Sequence, residues 1–129
     1  MPLMTKQQAK QLSALQLAYM GDTVFDLLAR TDLMFTDLHV KEMHSRTTQI
    51  VNARSQAKAL SSIRHLLDDD EKDIIRRARN VHLGHNIPQA ASREEYLDAT
   101  GYEALMGYLY LSGQMQRAQM LYKLSLIKE

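Results

Sequence analysis

Two acids stand where apolar helices have no packing use for them. Asp22 lies in LQLAYMGDTVFDLLAR, residues 15–30, and Glu103 lies in LDATGYEALMGYLYL, residues 97–111. On a helix Asp22 shares its face with Ala18, Tyr19, Phe25 and Asp26, and Glu103 shares its face with Ala99, Thr100, Met106 and Gly107. A carboxylate in such a setting is costly to desolvate unless an arginine, backbone donors or a divalent cation compensates it. Mg²⁺ keeps several of its waters and is commonly held by one or two carboxylates plus phosphate oxygens of a substrate. Asp22 and Glu103 together would therefore make an adequate but weak cation site. The plain alternative is that each acid faces solvent or pairs with one of the sixteen basic residues.

The elements that must carry these acids read as all α. The only prolines are at 2 and 88, and no stretch alternates apolar and polar residues. Thr5-x-x-Gln8 is a capping box for a short first helix. A long helix follows over roughly 14–34, with Leu17, Met20, Val24, Leu27 and Leu28 on its apolar side. Thr36 or Asp37 can cap a third element carrying Val40, Met43 and Thr47. The next helix should contain Ile50, Ala53, Ala57, Leu60 and Arg64 and end near Leu67. Asp68-x-x-Glu71 opens a helix through about Asn80, and Ser92-x-x-Glu95 opens one through about Leu111. Residues 81–91, with Gly84, Asn86 and Pro88, read as a mobile loop. Ser112-Gly113 makes a turn before a last helix with Met115, Ala118, Leu121, Tyr122 and Leu124. With no repeat and no linker, residues 1–129 are expected to form one domain.

Composition excludes several function classes. Cysteine is absent, so there is no disulfide framework, thiolate metal site or cysteine nucleophile. No run approaches the roughly 18 uncharged apolar residues of a membrane span, and the start has no apolar block like a secretory signal. A cytoplasmic protein is expected. The net charge is only +1, yet charge is unevenly spread. Residues 74–93 hold four arginines, two histidines and no acid. Residues 41–64 hold Lys41, Arg46, Arg54, Lys58 and Arg64 against the single acid Glu42. Such stretches suit a phosphate-binding face, because affinity follows the local field. Solvated helix faces, and helix dipoles matched by acids at one end and arginines at the other, are the competing account. His82-x-x-His85 lacks the third ligand that a zinc site needs.

The wording around the two acids is more specific than their positions. LAYMGDTVFDL resembles the signature of the ribonuclease III family, and ATGYEALMGYLYL resembles that family's second acidic helix. The match is closer still to the Mini-ribonuclease III branch, which has the catalytic domain without a double-stranded-RNA-binding domain. DLH at 37–39, NARSQA at 52–57, RARN at 77–80 and Tyr96 are similar to that branch too. The resemblance spans about residues 12–112. Ordinary ribonuclease III has further acids at the positions of Ala18 and Thr100, and the Mini branch is similar to this chain in lacking them.

This resemblance implies a ribonuclease III-like helical endonuclease domain, with Asp22 and Glu103 as catalytic metal ligands for Mg²⁺, or Mn²⁺ in its place. The reaction implied is phosphodiester hydrolysis of double-stranded RNA to 5′-phosphate products, by a homodimer that cuts both strands. The implied substrate is precursor 23S ribosomal RNA, and a ribosomal protein could assist by shaping it. Tyr19, Met20, Val24 and Phe25 offer large apolar surface, compatible with a dimer contact or with the core of one protomer. Duplex RNA is read by shape, with basic side chains supplying salt-dependent affinity. Lys41, Arg46, Arg54, Arg77, Arg79 and His82 are the expected contacts. A non-catalytic RNA-binding or ribosome-assembly protein on the same fold is the alternative, favoured by Ala18 and Thr100 and opposed by Asp22 and Glu103.

Overall fold

Most helices begin where the sequence supplies a cap. The computed structural model describes residues 3–81 and 92–126. Reciprocal capping boxes, Thr5 with Gln8 and Ser13 with Gln16, open α1 (Lys6–Lys10) and α2 (Ala14–Leu33). Helix α3 (Val40–Val51) starts after His39, not after Thr36 or Asp37. The Thr36 hydroxyl instead donates to the Leu33 carbonyl at 2.6 Å, closing the end of α2. Asn52 then breaks what the apolar spacing reads as a helix running on from Ile50. It takes an extended conformation (φ −76°, ψ 159°), and its side chain accepts the Ser55 N–H at 2.9 Å, opening α4 (Ala53–Ile63). One 3₁₀ turn, Arg64–Leu66, leads to Leu67.

Asp68 with Glu71 caps α5 (Asp69–Arg79), and Ser92 with Glu95 caps α6 (Arg93–Leu111). Gly113 turns the chain at φ 77°, where a residue with a Cβ would be strained, into α7 (Met115–Ser125). Among the described residues the only regular elements are helices, so the fold is all α, as the patterning implies. None of these helices is long and apolar enough to cross a membrane.

Helix α6 is the axis of the molecule. Apolar or small residues from Leu97 to Leu109 are buried around almost its whole circumference, and α2, α4 and α5 pack along it. Phe25 meets Tyr102 and Tyr122 edge-on, with ring centres 5.2 and 5.4 Å apart. Val24 and Phe25 thus belong to the protomer's own core, whereas Tyr19 is 82% exposed. The large apolar side chains left outside along and just beyond α2 are Leu15, Tyr19, Leu27, Met34 and Phe35. Leu27, expected on the packed side, stands just past the edge of that arc.

Two polar pins set how α5 sits. Glu71 is buried and takes a two-pronged ion pair from Arg117 of α7, which also donates to the Leu66 carbonyl at 3.0 Å. Losing one partner of such a pair strands a buried charge, at a cost of about 3–5 kcal/mol. Arg77 donates to the Lys10 and Leu12 carbonyls at 3.0 and 2.7 Å, fastening α5 to the link between α1 and α2.

Candidate active site

The glycine before Asp22 explains its own presence. A Cβ on Gly21 would lie 1.5 Å from the Glu103 carbonyl oxygen, and one on Gly107 would lie 2.0 Å from the Leu17 carbonyl oxygen. Helices α2 and α6 therefore cross backbone against backbone, which only glycine permits. Asp22 follows the first crossing glycine, and Glu103 is the very residue that Gly21 touches. Two side chains separated by 81 positions are brought together by main-chain contact.

The two carboxyls lie close enough for Asp22 to act on Glu103. Burial is the chief cause that pushes the Glu103 pKa up to about 8, followed by a hydrogen bond with Asp22 and that residue's charge. Asp22 is the exposed member of the pair and Glu103 the half-buried one. Neither forms an ion pair with a lysine or arginine among the described residues. Such a pair is a strained acid site that favours a shared proton or a cation between its oxygens. Its hard oxygen donors suit Mg²⁺ or Mn²⁺. Among the described residues no group of three or more acidic or histidine side chains is gathered for a metal, so a cation here would take its remaining ligands from water and substrate.

A third residue at this site went unnoticed in the sequence beyond its place in NARSQA. Gln56 of α4 is 3% exposed and acts on Glu103 in the opposite sense to Asp22, favouring the charged carboxylate. Its Nε2 has no hydrogen-bond partner among the described residues. It reaches the carboxyl's field without closing a full bond. A buried glutamine on a small apolar helix face was the available signal. The two positions where the resemblance marks missing acids are both packed: Ala18 is buried, and the Thr100 hydroxyl donates to the Tyr96 carbonyl at 3.0 Å.

The expected RNA contacts divide into two groups. Lys41 and Arg46 are exposed on α3, without an ion pair among the described residues. Arg54, at the start of α4, is exposed and pairs with Glu95 at 3.3 Å. Arg77 and Arg79 lie on α5, across α6. Arg77 is bonded to carbonyls, and Arg79 pairs with Glu94 at 2.6 Å and with Asp98. His82 lies outside the described residues.

Comparison with known proteins shows the family of this fold. Residues 15–114 match the ribonuclease III domain family, a match that includes both acids and Gln56. A Mini-ribonuclease 3 from Thermoanaerobacter sp. is 40% identical over 95% of this chain and 87% of its own length. Another, from Symbiobacterium thermophilum, is 39% identical over 82% of each chain. The crystal structure of a Fusobacterium nucleatum protein superposes with a TM-score of 0.79 at 26% identity, covering 88% of this chain and 90% of that one. With the helical fold, the ordered motifs and this similarity in hand, the chain belongs to the ribonuclease III family, in its Mini-ribonuclease 3 branch.

Proposed function

We propose that this RNA endonuclease cuts double-stranded RNA as a homodimer, using a divalent cation held by Asp22 and Glu103, and that its substrate is precursor 23S ribosomal RNA. The observation that carries the reading is the carboxyl pair itself, two acids forced together at a glycine crossing with no lysine or arginine paired to either among the described residues. A bound Mg²⁺ or Mn²⁺ would supply Lewis-acid activation of the phosphodiester and of the attacking water, giving 5′-phosphate products. Asp22 and Glu103 would hold the ion, and Gln56 favours the charged form of the Glu103 carboxylate. Lys41, Arg46 and Arg54 bear on the phosphates of the duplex. Arg77 and Arg79 contribute to RNA binding away from the cut, through the donors left over from their internal bonds, and His82 adds a further contact. One carboxyl pair cuts one strand, so two copies are needed for both. Leu15, Tyr19 and Leu27, exposed along α2, supply the apolar surface for that pairing. We place the reaction in the cytoplasm, with a ribosomal protein as an assisting factor that shapes the substrate.

The direct test is incubation of the purified protein with RNA carrying the paired precursor 23S termini, with and without Mg²⁺, mapping breaks on both strands. Staggered cuts on both strands that vanish with chelator are expected. Intact RNA at saturating Mg²⁺ and Mn²⁺, with binding retained, would leave the non-catalytic RNA-binding reading in its place.

Metal loading should also depend on pH in a defined sense. The cation must displace the proton that Glu103 holds up to a pKa of about 8. Affinity for Mn²⁺ alone is therefore expected to rise by about tenfold per pH unit below that value and to level off above it. Calorimetric titration in buffers of different ionisation enthalpy should count about one proton released per ion at pH 7. A flat affinity between pH 6 and pH 8 would remove Glu103 from the ligand set.

A further inference from the structure

We propose that a second, basic groove on the far side of α6 binds phosphates of the RNA outside the segment that is cut, a proposal that rests on the nuclease reading above. The groove has a volume of about 530 Å³ and lies between the 3₁₀ turn and α5. Arg64 and His65 form one wall, Lys72, Arg76 and Arg79 the other, and Ile75 lies between them. No carboxylate lines it among the described residues. Four permanent cations face one groove, and the carboxylates that pair with Arg64, Arg76 and Arg79 stand outside its lining.

Its geometry is fixed from behind. Asp98 of α6 takes hydrogen bonds from both Arg64, at 2.8 Å, and Arg79. One carboxylate thus holds one guanidinium from each wall. Arg79 gives a further hydrogen bond to Glu94 at 2.6 Å, so Arg64 keeps the freer donors of the two. Lys72 has no ion pair among the described residues, and Arg76 pairs only with exposed Asp73 of its own helix. Lys72 and Arg76 stand one turn apart on α5, a repulsive spacing that a bound polyanion relieves.

The groove cannot serve the phosphates at the cut. Gly101, packed against Ile75 of α5, and Glu103 lie about 200° apart around α6, so groove and carboxyl pair open on opposite flanks of a helix about 10 Å across. RNA lying over Asp22 and Glu103 reaches the groove only through a different arm. The chemistry of the groove is that of a phosphate site: guanidiniums and an ammonium, with no Phe, Tyr or Trp ring to stack a base. An RNA backbone and a small phosphorylated molecule share that chemistry, and we assign the RNA arm.

The test uses a minimal duplex and the same duplex with a second helical arm. Wild-type protein is compared with Lys72→Glu/Arg76→Glu and with the milder Lys72→Gln/Arg76→Gln. For wild type, binding of the armed RNA should be tighter, and its log K against log salt steeper by about two, one for each phosphate contact. Both variants should lose that difference while cutting the minimal duplex at the wild-type rate. Equal binding of both RNAs by wild type, or armed-RNA binding unchanged in both variants, overturns the proposal. Amide shifts in α5 on titration with inorganic phosphate or a mononucleotide, without any effect of the arm, would also overturn it in favour of a small ligand. Wild-type protein that cuts neither RNA defeats the nuclease reading alone, because arm-dependent binding still decides the groove.

Discussion

Asp22→Asn is expected to lower the rate of duplex cleavage by about 10²–10³-fold while leaving duplex affinity within about threefold of wild type. Replacing the exposed carboxyl by an amide removes one of two anionic oxygens that would hold the cation, and a single electrostatic contact of this kind is worth about 10²–10³ in rate. Glu103→Gln should match it in activity and differ instructively in stability. The Glu103 carboxyl holds its proton to about pH 8 in the folded protein but only to about 4.3 in the unfolded chain. Between those values the folded state binds more protons, so the metal-free protein loses stability as pH rises through the window. Glu103→Gln abolishes that loss, and its Tm at pH 8 should exceed wild type by about 5 °C or more. An inactive variant that is also more stable excludes unfolding as the cause. Thermal scans at pH 5 and pH 8, run with single-turnover cleavage, read both quantities. Cleavage within tenfold of wild type for Asp22→Asn would remove this acid from the chemistry.

Gly21→Ala should be the most damaging single methyl in the molecule. Its Cβ would sit 1.5 Å from a backbone carbonyl oxygen, not from the tip of a side chain that can swing away. Helices α2 and α6 must separate to admit it. Overpacking a rigid contact costs about 1–3 kcal/mol and occasionally more, and a backbone clash this close belongs at or above the top of that range. Against a total stability of about 5–15 kcal/mol, the urea midpoint should fall sharply with little change in slope. Even the folded fraction should cleave poorly, because separating the helices separates the carboxyls. Gly107→Ala, facing the Leu17 carbonyl, should behave alike at a somewhat smaller cost. A Gly21→Ala protein as stable as wild type would contradict the backbone contact.

Much of this was legible in the sequence because it is written locally. The boxes Thr5–Gln8, Asp68–Glu71 and Ser92–Glu95 name the starts of α1, α5 and α6 within a few residues of chain. The Asn52 break was harder to see, since apolar spacing continues across it, and only the asparagine's dual position as the end of α3 and cap of α4 marks it. Phe25 and Val24 could not be assigned to core or outer surface from α2 alone, because which arc faces α6 depends on where Gly21 lands. Pairing was least visible of all. Nothing near Arg79 in sequence announces that Asp98 will hold it together with Arg64, and nothing near Gln56 announces Glu103. Those contacts exist only once three helices share α6 as a common neighbour.

Because α6 is buried on nearly every side, it has no wet face on which to wait for partners. An isolated peptide of this stretch has little reason to hold a helix in water, since its stability comes from what surrounds it. During synthesis, α2 emerges long before the residues that it must touch. The Asp22–Glu103 pair is therefore assembled late, once the chain through Gly107 has been made and has closed on α2.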